Sequence, residues 1–201
     1  NFPTIPSNTK VEVSFSIELT PSGTAGTKPA YDELLLGAGM VRTDVSSTSN
    51  TYAPDSTLND ADSLTIGVYI DGSLHKALNT SEIPLLNFSY IGIYQDPTAT
   101  ALISPNYAGQ IAPIAANSGN TTGFQLHSYA GALMSFNYDH NNALYYSELI
   151  SGSKSTRITD RKPSGSLTME SVALGTKNYY PIVNSSATGN LTWQHGQSAG
   201  K

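Results

Sequence analysis

The chain of 201 residues contains no cysteine, and only 12% of its residues are charged. A disulfide framework and thiolate metal sites are therefore excluded. No apolar run approaches the ~20 residues that a membrane-spanning helix needs, and no secretory signal peptide is visible. The composition thus excludes a small disulfide-stapled secreted scaffold and predicts no membrane partner.

Serine, threonine, asparagine and glycine carry the polar load instead of charge, and these residue types favour turns and strands over helices. Twelve tyrosines accompany a single tryptophan, which suits half-buried pleated surfaces or interfaces with a wet rim. The length predicts one domain that spans residues 1–201 and is large enough to bury a core without staples.

The net charge of −5 is unevenly placed along the chain. The segment from Asp32 to Glu82 holds eight acids and two bases, whereas Lys154 to Lys201 holds six bases and two acids. An acidic balance argues against binding nucleic acid through its phosphates, which needs clustered lysine and arginine. An acidic half and a basic half would allow copies of the chain to pair head to tail.

Apolar and polar residues alternate in several segments, and this pattern is typical of half-buried strands. Val11 to Leu19 is one such segment, and a short helix is expected after it over Pro29 to Leu36, capped by Thr27. Leu64 to Leu78 predicts a hairpin that turns at Asp71-Gly72. Further strands are predicted over Leu85–Tyr94, Phe124–Tyr129, Leu133–Tyr138, Leu144–Ile150, Leu167–Val172 and Leu191–Trp193.

Between these strands the pattern predicts irregular structure. Thr43 to Ser63 indicates a long polar loop, Ser104 to Gly123 an extended connector, and Thr176 to Asn184 at most one helical turn. The fold class expected from this series is mainly β: an antiparallel β-sandwich or barrel with one short flanking helix and long loops.

No set of residues carries a recognisable chemistry. The four histidines lack metal-ligand spacing and have no serine in a nucleophile elbow nearby. Asp60 and Asp62 are compatible with a calcium-binding site, but the glycine and the distal glutamate of a calcium loop are missing. The glycines around residues 23–39 form neither a phosphate loop nor a dinucleotide fingerprint. We therefore expect no catalytic residue, no cofactor and no metal, and the chain is not expected to be an enzyme.

The segment Gly23–Met40 and its downstream counterpart Ile158–Leu167 resemble the major tail (tail tube) proteins of long-tailed, non-contractile bacteriophages. Other segments resemble the same family in the same order: Val68–Lys76, Glu82–Tyr94 followed by Asp96-Pro97-Thr98, Asn120-Thr121-Thr122, Leu126–Tyr129, and Ala187–Leu191 with His195-Gly196. The family carries further sequence at both ends, so the resemblance implies that residues 1–201 lack N- and C-terminal segments of the full gene product.

The resemblance implies a structural virion protein whose subunits close into hexameric rings. The rings would stack into the tail tube of the virion, after assembly in the host cytoplasm. Its partners would be further copies of itself, the tape-measure protein, tail-end proteins and DNA that passes without sequence-specific binding. Asp55, Asp60 and Asp62 of one copy are predicted to meet Arg157, Arg161 or Lys162 of another. The alternative is a monomeric β-sandwich carbohydrate-binding or adhesin module, for which tyrosine-rich, weakly charged surfaces are also suitable.

Overall fold

The computed structural model describes residues 10–57, 63–66, 83–96, 98–99, 104, 111–150 and 152–198. These residues form a mainly β structure with two short helices, α1 (Asp32–Gly37) and α2 (Tyr180–Ser185). The strands are β1 (Lys10–Glu18), β2 (Met40–Val45), β3 (Ser49–Pro54), β4 (Leu85–Ile93), β5 (Thr121–Leu126), β6 (Leu133–Asp139), β7 (Asn142–Glu148), β8 (Lys154–Arg161), β9 (Ser164–Met169) and β10 (Leu191–His195).

The described strands pair as five antiparallel two-stranded ribbons: β1 with β4, β2 with β3, β5 with β10, β6 with β9, and β7 with β8. The prediction of a mainly β, antiparallel fold is confirmed. The fold has two short helices and not the one flanking helix expected, and α2 overlaps the segment Thr176 to Asn184 for which one helical turn was predicted. Pro181 lies in the first turn of α2, where the missing N–H of proline costs the helix nothing.

The ribbon of β1 and β4 contains the clearest part of the core. Strand β1 alternates strictly, and the register places Phe15 opposite Phe88 on one face, with Tyr90 beside them. The three rings lie within about 6 Å of each other, at 5.8, 6.1 and 6.0 Å between centroids. On the other face the hydroxyl of Ser14 bonds that of Ser89 at 3.1 Å. The strand predicted over Val11 to Leu19 is thus confirmed.

Helix α1 begins at Asp32 rather than at Pro29. Thr27 does not cap it: its N–H donates to Thr24 O in a preceding turn, and Tyr31 occupies the N-cap position without a side-chain hydrogen bond. The leucine side of the helix is half-buried, as predicted. Tyr90 Oη donates to Leu34 O at 2.7 Å and so ties the helix to β4, and burial raises the pKa of Tyr90 to about 12.

The loop expected over Thr43 to Ser63 is in its first part a regular hairpin. Strands β2 and β3 pair in continuous register from Met40–Pro54 to Val45–Ser49, and we call them, with the turn 46–48, the polar hairpin. The apolar pattern failed here because both faces of the hairpin are polar or exposed. The predicted hairpin around Asp71-Gly72 lies outside the described residues, apart from residues 64–66, which have no strand structure.

Two other elements differ from the sequence pattern. Strand β8 was not predicted, because its sequence alternates mainly between charged residues and hydroxyls, with Ile158 as its one buried apolar side chain. Strand β5 begins at Thr121, inside the segment interpreted as a connector. Among the described residues, no helix is long and apolar enough to span a bilayer.

Candidate functional site

Asp32 is the most buried charged residue of the described chain, at 1% exposure. It lies in the first turn of α1 and faces the polar hairpin. Tyr52 Oη donates to its Oδ1 at 2.6 Å, Arg42 donates to Oδ2, and Lys28 Nζ lies 3.1 Å from Oδ2. Arg42 and Tyr52 are cross-strand partners, so a single carboxylate holds both strands of the hairpin against the helix.

The pKa of Asp32 reflects two opposed effects. Burial raises the pKa of the carboxyl, but the hydrogen bonds from Arg42, Tyr52 and Lys28 outweigh burial and bring the pKa below its ordinary value. Burial and the bond to Asp32 also raise the pKa of Tyr52. Arg42 Nε lies 2.8 Å from an Asp44 oxygen without the alignment of a hydrogen bond. At neutral pH the carboxylate of Asp32 is therefore charged, and its bonds hold α1 and the polar hairpin together; we call these residues the Asp32 cluster.

A second junction joins the base of the polar hairpin to β7 and β8. The guanidinium of Arg161 donates through Nη2 to Gly39 O at 2.8 Å, through Nη1 to Asp55 O at 2.8 Å, and through Nε to Asn142 Oδ1 at 2.9 Å. Asn142 Nδ2 donates in turn to Ala38 O at 2.8 Å. Side chains of the β7–β8 ribbon thus bond three backbone carbonyls at the base of the hairpin, those of Ala38 and Gly39 before β2 and that of Asp55 after β3.

The tip of the hairpin is also held. Gly26 has a positive φ of 73°, and a Cβ at that position would lie 2.5 Å from the backbone nitrogen of Ser47 in the turn. The polar hairpin therefore touches its own chain at the tip, along one face and at the base. Its opposite face, which includes Val41 and Val45 at 45% and 49% exposure, is left open.

The structure places the predicted contact residues in different surroundings. Asp55 and Arg161 meet within one chain, through the Asp55 backbone carbonyl, while the Asp55 carboxylate accepts from Thr57 N at 2.8 Å. The Arg157 guanidinium lies 5.3 Å from the centre of the Tyr145 ring, and Lys162 lies 3.5 Å from Asp160. Asp60 and Asp62 lie outside the described residues. The contact between copies remains a prediction.

Sequence reasoning missed Arg42, Tyr52 and Asn142 as parts of the site. The signal that would have found the first two is their pairing across a hairpin, which depends on recognising the polar strands. The sequence resemblance did single out Gly23–Met40 and Ile158–Leu167. The hydrogen bond from Arg161 to Gly39 O joins these two segments.

His195 links β10 to two other parts of the described chain. His195 bonds Thr121 Oγ1 through Nδ1 at 3.0 Å and Ile114 O through Nε2 at 2.9 Å. Because a carbonyl only accepts, Nε2 carries the proton and Nδ1 accepts from the threonine hydroxyl. Among the described residues, the Nε2 partner is thus a backbone carbonyl and not the acid that orients the histidine of a catalytic triad. Within the described ranges, no three acidic or histidine side chains are grouped to hold a metal ion.

Apolar side chains are covered poorly by the described chain. Its buried apolar residues are Phe88, Phe124 and Ile158. Many other large apolar and aromatic side chains are more than a third exposed. The most exposed of them are Met134, Leu149, Ile150, Leu174, Tyr180 and Val183. Scattered exposure of single apolar side chains is normal, whereas among the described residues the large apolar side chains that are exposed outnumber the buried ones.

Arg161→Lys should destabilise the unassembled chain by about 2 kcal/mol, because one ammonium cannot bond three separated acceptors. Urea unfolding followed by circular dichroism measures this loss. Lys162→Arg, at a side chain that is 80% exposed, is the matched control and should leave the midpoint unchanged. If the lysine variant at position 161 were as stable as the parent, the junction would not depend on the fork of hydrogen bonds.

No protein-family model, curated protein or solved structure matches this chain.

Proposed function

We propose that the chain is a structural subunit that assembles with copies of itself into stacked, hexameric rings forming the tail tube of a bacteriophage virion. The observation that carries the proposal is the incomplete pairing of the described strands. Within the described ranges, each of these strands pairs with one other strand and along one edge only. Open edges are ready templates for pairing with another chain, and ring closure pairs or covers them.

The exposed apolar side chains support the same function. A monomer with this distribution would leave more large apolar side chains in water than it buries. Burial of that surface against neighbouring subunits stabilises an assembly by about 25 cal/mol per Å². In this assembly the five ribbons are parts of a sandwich or barrel of the tail-tube type that closes around a lumen.

The acidic composition and the resemblance to tail tube proteins support a passive role toward DNA. The lumen passes DNA, and a wall of weakly acidic charge repels phosphates instead of binding them. The subunit is not an enzyme and holds no cofactor. Its remaining partners are the tape-measure protein and the proteins at the tail ends, and it is assembled in the host cytoplasm.

Electron microscopy and sedimentation of the purified chain over a concentration series test the function. We expect rings or tubes of uniform width, with a central channel wide enough for a DNA duplex. A particle that remains monomeric at every concentration and binds glycans would instead support a carbohydrate-binding or adhesin module, on which exposed tyrosines stack against sugar rings.

Val45→Lys should block assembly without unfolding the subunit. Val45 lies on the open face of the polar hairpin, at 49% exposure, and a lysine on an exposed strand discourages contact with a neighbouring chain. We expect the thermal midpoint of the monomer to change by less than about 2 °C while tube formation, followed by light scattering, is lost.

Thr24→Lys adds the same charge at an exposed position outside the hairpin and serves as the control. Normal tubes from the Val45 variant would show that the open face of the hairpin lies away from the contact between subunits.

A further inference from the structure

His140 lies in the two-residue link between β6 and β7. Its Nδ1 is 3.2 Å from Tyr138 Oη, and its ring meets the Tyr138 ring edge-on, with the centroids 6.0 Å apart. Its Nε2 is covered from solvent, yet the part of the chain that the structure describes offers this atom no hydrogen-bond partner. A buried polar atom without a partner lowers stability, and such atoms are few in native proteins. The position of His140 in the fold therefore calls for a physical explanation.

The link that contains His140 is tied to the anchor of the polar hairpin. Asn141 O accepts from Lys162 N at 3.3 Å, and Asn141 Nδ2 donates to Lys162 O at 3.2 Å. The next residue, Asn142, is the cross-strand partner of Arg161 and accepts from its Nε at 2.9 Å. We call the bonds that Arg161 and Asn142 make to the base of the hairpin the Arg161 junction. A single residue thus separates His140 from this junction.

The charged groups around His140 favour its neutral form. Burial and the charge of Arg161 both lower the pKa of His140, and the opposing effect of Asp139 is smaller. The Asp139 carboxylate accepts from Asn141 N at 2.8 Å. At the end of β8, Lys162 lies 3.5 Å from Asp160. Because no carboxylate of the described residues is hydrogen-bonded to the imidazole, a proton gained by His140 adds a second positive charge beside Arg161.

We propose that His140 is a pH-sensitive switch at the base of the polar hairpin, and that it loosens the Arg161 junction when its imidazole gains a proton. The imidazolium donates through both ring nitrogens. Its Nδ1 can donate to Tyr138 Oη, but its covered Nε2 meets no acceptor among the described residues, and Arg161 repels the new charge. The ring relieves both costs by turning toward water, and this movement draws Asn142 away from Arg161.

The switch operates in mildly acidic solution and in one direction. The pKa of His140 is lower in the folded chain than its ordinary value of 6.5, so the unfolded chain takes up the proton first as the pH falls. Stability is therefore lost as the pH falls below 6.5, and the loss is complete below the pKa of the folded state. The carboxylate of Asp32 gains its proton only below about pH 4. The switch acts within a single chain and does not depend on the proposed assembly.

Urea unfolding of the full, unassembled chain between about pH 7 and about pH 5 tests the switch, because histidine titrates in this range. We expect the urea midpoint of the parent to fall as the pH is lowered. The midpoint of His140→Gln, whose amide gains no proton there, should change less. His127→Gln removes a histidine from a different turn and is the matched control, so it should keep the pH dependence of the parent. Identical pH profiles for the parent and His140→Gln would overturn the proposal.

Hydrogen exchange followed by nuclear magnetic resonance tests the effect on the hairpin itself. Asp55 N–H donates to Gly39 O at 3.0 Å, and Arg161 Nη2 bonds the same carbonyl, so the protection of this amide reports on the base of the hairpin. Its protection factor should fall in the parent as the His140 imidazole titrates, and it should stay constant in His140→Gln. Titration of His140 without loss of this protection, or equal loss in both proteins, would refute the switch and leave the tail-tube function intact.

Discussion

Gly39→Ala should destabilise the unassembled chain by about 3 kcal/mol, the sum of a backbone cost and a packing cost. Gly39 has a φ of 81°, in the left-handed region that side chains other than glycine rarely adopt. A Cβ there would lie 2.6 Å from Ile158 Cδ1 and 2.8 Å from Arg161 Nη2. Ile158 is buried, and Arg161 is held by three acceptors, so neither can move aside without loss.

Gly92→Ala provides the matched control, since a Cβ at that position meets nothing within 4 Å. Its unfolding free energy should stay within about 0.5 kcal/mol of the parent. Chemical denaturation of both variants measures the difference. A Gly39 variant as stable as the Gly92 variant would show that the turn after α1 adopts another conformation in solution.

Asp32→Asn should destabilise the chain by a similar amount, about 3 kcal/mol, because a neutral amide weakens at once the charge-assisted bonds that Arg42, Tyr52 and Lys28 make to this buried carboxylate. The amide keeps the size of the side chain and can still accept from Tyr52, so the loss is that of the charge. Glu33→Gln is the control on the neighbouring residue. Glu33 is 66% exposed in its pair with Lys28, and such surface pairs contribute about 0–1 kcal/mol.

The effect of Asp32→Asn should depend on pH in one direction. The pKa of Asp32 is lower in the folded chain than its ordinary value of 3.8. Its contribution to stability is therefore fully present above that value and is lost as the pH falls through the lowered pKa of the folded state. The difference in unfolding free energy between parent and variant should be constant at neutral and mildly acidic pH and shrink below about pH 4. If the difference in unfolding free energy stayed constant down to about pH 2, the charge of Asp32 would not stabilise the fold.

Apolar alternation predicted the elements whose burial differs between their two faces. Strand β1 was found in this way, because apolar residues occupy every second position, whereas β4 was predicted from a run that carries Phe88 and Tyr90 on one face and Ile91 and Ile93 on the other. The polar hairpin and β8 escaped, because their stability comes from cross-strand pairing and from single side chains such as Arg161 and Asp32. A pattern of apolar residues contains no trace of such bonds.

The site was predictable only as far as its two segments. The sequence resemblance singled out Gly23–Met40 and Ile158–Leu167. Charge asymmetry placed Arg161 in a contact between copies, which stays a prediction, and it did not predict the three hydrogen bonds that Arg161 makes within the chain. Charge asymmetry alone does not distinguish a contact within a chain from one between chains, since both satisfy the same electrostatics. Backbone carbonyls as the acceptors leave no signature in residue identity at all.

The distance along the chain between bonded partners sets the order in which a nascent subunit can be completed. Ser14 and Ser89 are 75 residues apart, and Arg161 reaches Gly39 across 122 residues. At a synthesis rate of ~5–20 residues per second, β1 waits roughly 4–15 s for β4, and Gly39 waits roughly 6–24 s for Arg161. The base of the polar hairpin is therefore secured only after the chain has been synthesised past residue 161. A ribosome-bound chain stopped before residue 161 would present the hairpin without its anchor, so the hairpin is held at its tip and along one face before its base is fixed.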